Sequence, residues 1–438
     1  MYFFYNILLN IITLILIPYY AYNGLRSGEE LGLRERFAFY RDDLKLIFPA
    51  DMVIWVHAAS AGETLAAKEF IEGLREKYPS ARIVFSNMTP TGRKIAREKI
   101  DTADCFIYLP LDLKWIVKRA VKFFKPELFV LIETELWPNL IKELDSTDCS
   151  IMLASGRISD DTFNKYKYMS AIMEDMLHRI DIISMQSREG YNKIIELGAP
   201  EDHVCINGNL KYDIDVGNLN KDKLAKKREL FNLKENTPVL TAGSTHKGEE
   251  EKILDVYKEL KNDFSRLKLF LAPRYVERRE ELQSLCGEYN FNSVLYTKLK
   301  KGFYVENNSA DIVIVDTMGE LADLYYFADI IFVGGSLIKR GGHNVIEAAA
   351  RSKVVLFGPS MYNFKEERDF LLENNVGFKV KNKEELYQKT YELLSNRDEM
   401  EYIGKNAGNI LAENRGAVDK HLQLTEFLFK KGVDLNEK

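Results

Sequence analysis

The sequence predicts an α/β protein with two domains in tandem, each built on a parallel sheet. Three observations carry this. The chain has 438 residues, and globular domains run roughly 100–200 residues each. Short continuous runs rich in Val, Ile and Phe alternate with amphipathic stretches of helical period. That is the pattern of strands buried on both faces and joined by crossover helices. The alternation breaks at a polar, lysine-rich stretch over 211–236 and then restarts.

In the first half, strands are expected over 52–58, 82–86, 105–109, 127–132, 150–154 and 180–185. Helices are expected over 64–78, 92–100, 112–125, 137–145, 162–178 and 188–198. In the second half, strands are expected over 238–242, 266–272, 293–296, 311–315, 329–333 and 353–357, with a mainly helical C-terminal region. The domain boundaries follow: an apolar anchor over 1–25, a first domain over 26–212, a linker over 213–236 and a second domain over 237–438. Ligands of open parallel sheets bind beyond the carboxyl ends of the strands, so two such domains imply a cleft lined by loops of both.

Apolar residues make up 46% and charged residues 29% of the chain, which excludes a disordered, collagenous or multi-span membrane protein. Lysine plus arginine is 61 against 66 for aspartate plus glutamate, a formal net charge of −5. That balance argues against a nucleic-acid partner. Cys105, Cys149, Cys205 and Cys286 are far apart and form no CxxC pair, and no HxxxH spacing occurs. A disulfide framework and a zinc site are therefore not expected, and a reducing compartment fits.

Residues 1–22 contain no charged side chain. A helix needs about 20 apolar residues to span a bilayer, and Asn6, Asn10, Thr13 and Pro18 interrupt this one. No Lys or Arg precedes the apolar run, against a cleaved signal peptide. Arg26, Arg34, Arg36, Arg41 and Lys45 follow it, which places the bulk of the chain in the cytoplasm. Aromatic residues cluster at both ends of the segment, as interfacial belts require, and favour a membrane anchor over a buried helix. Whether it spans or lies on the bilayer stays open. Within 113–125, Lys114, Lys118, Lys122 and Lys125 share one helical face; a lipid contact and a solvated helix both fit that pattern.

Several strand ends carry candidate chemistry. Ser60 and Glu63 have the spacing of a capping box, and Glu63 also stands where it would face a cleft. Glu133 and Glu135 follow the fourth strand directly, and strand alternation would point them the same way if the extended conformation persists. A Glu63–Glu133 pair would raise one carboxylate toward the range of a general base; alternatively Glu133 caps the helix start at Trp137-Pro138. Gly243 through Glu249 forms a strand-to-helix loop suited to an anion, though not a P-loop. Arg274 places a cation after another strand. The strongest constellation runs from Phe332 through Ala350, where two glycine pairs flank basic residues and a helix is expected near Asn344. Glycines there would leave amides free for a phosphate at a helix N-terminus, with Glu347 reaching ribose hydroxyls.

These residues sit in twelve ordered blocks, including WVHAASAGE (55–63), IETELWPNL (132–140), GNLKYD (208–213), GSTHKGEE (243–250), DTMGEL (316–321), FVGGS (332–336) and GGHN followed by Glu347. In these blocks, and over nearly its whole length, the sequence resembles the 3-deoxy-D-manno-octulosonic acid (Kdo) transferases of lipopolysaccharide synthesis. The resemblance implies a GT-B architecture, two Rossmann-like domains facing a cleft with an N-terminal apolar anchor helix. It implies an inverting glycosyltransferase that moves Kdo from CMP-Kdo to the lipid A precursor (lipid IVA) at the cytoplasmic face of the bacterial inner membrane. By the same carry-over, Glu63 is the general base, and Glu133 and Lys211 assist. CMP would be held by Pro273, Arg274, Met318, Gly319, Glu320, Asn344, Val345, Ile346 and Glu347. Neither a metal nor another cofactor is expected. Val345 and Ala348 stand where the family usually has proline. Two alternatives are a nucleotide-sugar epimerase of the same fold and a membrane-tethered nucleotide-sugar binder.

Overall fold

The computed structural model describes residues 2–27, 32–213, 221–234, 236–302 and 310–436. It contains two parallel seven-stranded sheets. The first is made of β1 (Val53–His57), β2 (Arg82–Asn87), β3 (Cys105–Tyr108), β4 (Leu128–Ile132), β5 (Ser150–Gly156), β6 (Ile182–Met185) and β7 (Val204–Ile206). Their spatial order is β3-β2-β1-β4-β5-β6-β7. The second is made of β8 (Val239–Thr245), β9 (Lys268–Pro273), β10 (Ser293–Leu295), β11 (Ile312–Ile314), β12 (Ile330–Val333), β13 (Val354–Phe357) and β14 (Gly377–Lys379). Their order is β10-β11-β9-β8-β12-β13-β14.

The apolar runs of the sequence become central strands because crossover helices cover both faces. In β1, Val53 and Trp55 enter one hydrophobic core while Ile54 and Val56 enter the core on the opposite face. All four are fully buried, and each such side chain stabilises the fold by about 1.5–3 kcal/mol. The two strands the sequence did not announce, β7 and β14, are three-residue edge strands, too short to show a period.

Three expectations change. The helix expected over 162–178 is two helices, Asp160–Lys167 and Ser170–Leu177. The first lays Phe163 and Tyr166 half-buried against the core, whereas the second fully buries Ile172, Met173, Met176 and Leu177, so one periodic pattern served two depths of packing. The linker expected over 213–236 contains the helix Lys221–Leu230, and Phe231 and Leu233 behind it are buried with Phe270 and Tyr296 in a core of the second sheet. Finally, the chain divides into one unit of residues 1–213 with 414–438 and another of 214–413. The last helix, Ala417–Asn436, therefore leaves the expected 237–438 domain. It buries Ala417 and Leu428 in the first unit's core, and His421 Nε2 accepts from the Ser155 amide at 3.0 Å. An amphipathic pattern specifies a buried face but not which sheet receives it.

Residues Tyr2–Ser27 form one helix. Its inner side is tied to the first unit by Tyr2 Oη to Asp175 (2.8 Å), Tyr5 Oη to Asp112 (2.9 Å) and a reciprocal Asn6–Asn139 amide pair. Its outer side presents Phe3, Phe4, Ile7, Leu8, Ile11 and Leu14 to solvent. Among the described residues, no helix is long and apolar enough to cross a membrane.

Candidate functional site

In the first sheet, the strand order reverses between β1 and β4, which are paired neighbours. The crevice at such a switch point is where open α/β sheets bind ligands, and Glu63 and the Glu133–Glu135 segment follow these two strands. Ser60 caps the helix Ala61–Lys77 by accepting from the Glu63 amide. The Glu63 carboxylate in return accepts from the Ala59 amide (2.7 Å) and the Ser60 hydroxyl (2.8 Å). The Ser60 half of the capping box is thus present, the Glu63 carboxylate reaching the Ala59 amide and the Ser60 hydroxyl, and the same carboxylate lies at the sheet's ligand-binding end. Burial pushes Glu63 above the usual glutamate range against those hydrogen bonds; the negative charge of Glu135 adds to the rise and Lys211 opposes it.

The expected continuation of β4 does not occur. Glu133 has φ +61°, so the chain turns out of the strand after Ile132, and the alternation that would align Glu133 with Glu135 is lost. Glu133 instead pairs with Lys211, Oε1 to Nζ 2.6 Å, with side-chain exposures of 14% and 9%. Lys211 lies in a 3-10 turn, Leu210–Tyr212, whose amides are held by Ser155 Oγ and Asn209 Oδ1. The carboxylate acting on Glu63 is therefore Glu135, itself raised by burial and by Glu133, rather than Glu133. Nor does Glu133 cap the helix Pro138–Asp145. Asp112 does, accepting from the amides of Asn139 (3.0 Å) and Leu140 (2.8 Å).

In the second sheet, the reversal falls between β8 and β12. Pro273 and Arg274 end or follow β9, Met318 through Glu320 follow β11, and Asn344 through Glu347 follow β12. These strands and β8 are consecutive in the sheet, so the sequence-selected residues lie on loops past one end of it. Three details differ from expectation. The helix after Asn344 is one turn, Ile346–Ala349, so it offers little dipole. The amides of Gly335, Ser336 and Leu337 are not left for a ligand, because the buried Glu249 carboxylate accepts all three at 2.6–3.0 Å. Glu320 is bound to Lys300, Tyr296 and Lys227; burial would raise it, but these partners win and hold it at about 2. Met318 is 61% exposed, Gly319 has φ +81°, and burial raises Glu347.

The sequence had not singled out Glu249, nor His246 as a partner of His343. Their imidazoles meet Nε2 to Nε2 at 3.0 Å. Both histidines stand beside glycine-containing loops after strands, but only the sheet order makes those strands neighbours. Among the described residues no cluster of His, Cys, Asp and Glu suits a metal ion.

Two Rossmann-like parallel sheets, each with loops gathered past one end, define the class of two-sheet α/β folds. The chain is similar to a solved putative UDP-N-acetylglucosamine 2-epimerase of Listeria monocytogenes, with a TM-score of 0.51 and 13% identity over 87% of this chain and 98% of that one; at that identity the likeness is one of fold alone. The sequence relatives are more specific. The family model described as 3-deoxy-D-manno-octulosonic-acid transferase (kdotransferase) matches residues 32–214. A 3-deoxy-D-manno-octulosonic acid transferase of Haemophilus influenzae is 32% identical over 98% of this chain and 99% of its own length. One of Aquifex aeolicus is 31% identical over 83% and 94%. The chain belongs to the Kdo transferase family, the glycosyltransferases that transfer Kdo in lipopolysaccharide synthesis.

Proposed function

We propose that the chain transfers Kdo from CMP-Kdo to the lipid A precursor with inversion at the anomeric carbon, and that Glu63 is the base. The observation that carries this reading is the Glu63 carboxylate. It is fixed by two short hydrogen bonds, raised by burial and by Glu135, and placed at the switch point of its sheet beside the Glu133–Lys211 pair. A carboxylate of raised pKa is a stronger base than a solvated one. Glu63 takes the proton from an acceptor hydroxyl. That oxygen attacks the anomeric carbon through an oxocarbenium-like transition state, and the bond to the CMP phosphate breaks with its electron pair going to the phosphate. Lys211 holds the Kdo carboxylate or orients Glu133.

In the second unit, Arg274, the backbone at Met318 and Gly319, and the segment from Asn344 to Glu347 receive CMP, with Glu347 accepting from ribose hydroxyls. Since Glu320 is held by Lys300, Tyr296 and Lys227, its role is to shape that loop. No metal takes part in this scheme.

The N-terminal helix lays its outer apolar face on the cytoplasmic surface of the inner membrane instead of spanning it. Two features support this: that face is exposed while the inner one is tied down by Tyr2, Tyr5 and Asn6, and the helix Lys114–Phe124 exposes Lys114, Lys118 and Lys122 beside a 48% exposed Trp115. Aromatic and basic side chains together suit an anionic lipid surface.

Glu63→Gln tests the base directly. Glutamine preserves the capping box, so the variant is expected to fold normally and to lose about 10²–10⁴-fold in transfer rate. Near-normal transfer by the folded variant contradicts the assignment.

A further inference from the structure

We propose that His246 and His343 form a proton-sharing couple that binds the phosphate of the donor and takes up one proton as the nucleotide binds. The proposal rests on the reading of the second unit as the CMP-Kdo site, and it names the groups that meet the phosphate there.

The geometry is specific. The two rings are within 4° of parallel, their centroids lie 5.2 Å apart, and the Nε2 atoms are 3.0 Å from each other. A contact that short between ring nitrogens needs one proton between them. In the neutral pair, therefore, one ring donates from Nε2 and the other accepts. A further proton from solvent, added at the Nδ1 of the donating ring, makes it an imidazolium without breaking the bond. The proton in the bridge can then reside on either ring, and the positive charge is shared.

The surroundings determine when that happens. From the loop after β9 come Arg274 and Tyr275, the latter ring 5.7 Å from His246. The 3-10 turn Val276–Arg278 brings Arg278, itself paired with Glu250 and Glu281. The glycine loop brings Arg340, and exposed Lys247 faces Glu281 at 3.6 Å. Glu249 accepts from the His246 amide, but its charge is met by four backbone N–H groups. The net field on the couple is cationic. Burial and this field hold His343 down to about 4, the neighbouring His246 and Arg274 contributing; His246 is lowered by burial and by Arg340, Arg274 and Arg278. A bound phosphate cancels the arginine charges, so the affinity of the couple for a proton rises on binding, and by linkage the nucleotide binds more tightly as pH falls.

The same loop shows why the phosphate needs these groups. Glu249 has already claimed the amides of Gly335, Ser336 and Leu337, which in a glycine loop would otherwise face an anion. The couple and the arginines offer an anion positive charge at this end of the sheet.

The test uses the full chain and the methyl ester of CMP, a phosphodiester that does not itself titrate near neutrality. Calorimetry at pH 7 in two buffers of different ionisation enthalpy gives the protons taken up. The expected result is uptake close to one per ester bound, tighter binding toward pH 6, and a KM for CMP-Kdo with the same trend. His246→Gln and His343→Gln keep a hydrogen-bonding side chain but cannot ionise. In each, uptake is expected to vanish, affinity to fall about tenfold, and its pH dependence between about pH 6 and 8 to flatten, with kcat less affected than KM. Ester binding by the wild-type chain without proton uptake overturns the couple and leaves the donor site standing. Failure of the wild-type chain to bind the ester overturns the donor site and the couple with it. The buffer comparison on the wild type needs no variant to fold.

Discussion

Glu63 holds a helix start and a raised carboxylate in one side chain. Ser60 and Ala59 donate to it, and those bonds favour the charged form, yet burial and Glu135 win. A base acts when deprotonated, so kcat/KM is expected to rise with pH through a limb above the usual glutamate value of about 4.3. Glu135→Gln removes a negative neighbour, makes the Glu63 carboxylate easier to form, and is expected to move that limb to lower pH. A limb that stays in place contradicts the coupling. The Ser60–Glu63 spacing was legible in the sequence because a capping box is local. The roles of Glu133 and Glu135 were not, since a left-handed residue at Glu133 ends the alternation on which their alignment depended. Glu249 was equally hidden: an acidic residue in a polar loop reads as solvated until four amides are seen to converge on it.

Both sheets gather their candidate residues by the same topological device. β1 and β4 are neighbours across one switch point, and β8 and β12 across the other, so segments some 70 to 100 residues apart in sequence meet, as Glu63 meets Glu135 and His246 meets His343. The crossing of β8 and β12 is tight at Gly334, where a Cβ would lie 2.6 Å from the Ser244 carbonyl oxygen. Gly334→Ala is expected to cost the second unit about 1–3 kcal/mol or more through overpacking, seen as a lowered thermal midpoint; an unchanged midpoint contradicts that packing. The long central strands and the crossover helices were legible from their periods. The three-residue edge strands and the destination of the helix Ala417–Asn436 were not, because neither leaves a local pattern. Ending the chain at Glu413 uncovers Phe70 and Ile71, which share a core with Ala417 and Leu428. Hydrogen exchange is expected to accelerate in residues 53–213 and to change little in 239–413; the reverse contradicts the division into units.

On the scale of the whole molecule, the net charge of −5 conceals a first unit with an apolar helix face and a basic helix exposed to solvent. If that surface meets lipid, replacing Phe4, Leu8 and Ile11 together by serine leaves the tyrosine and asparagine ties intact. It is expected to lower sedimentation with anionic vesicles at least tenfold while preserving the fold, and undiminished sedimentation contradicts the surface. Family membership follows from blocks spread along the chain, and the fold from its alternation. The acceptor is the step that neither dictates, because lipid recognition depends on surfaces that no single motif encodes.

The most direct test of the account is the mass of the lipid after the purified full-length chain has been incubated with CMP-Kdo and the lipid A precursor without added metal. A precursor heavier by whole Kdo residues is expected, with CMP released in equal amount. An unchanged lipid, or CMP released with Kdo left free in solution, would contradict it.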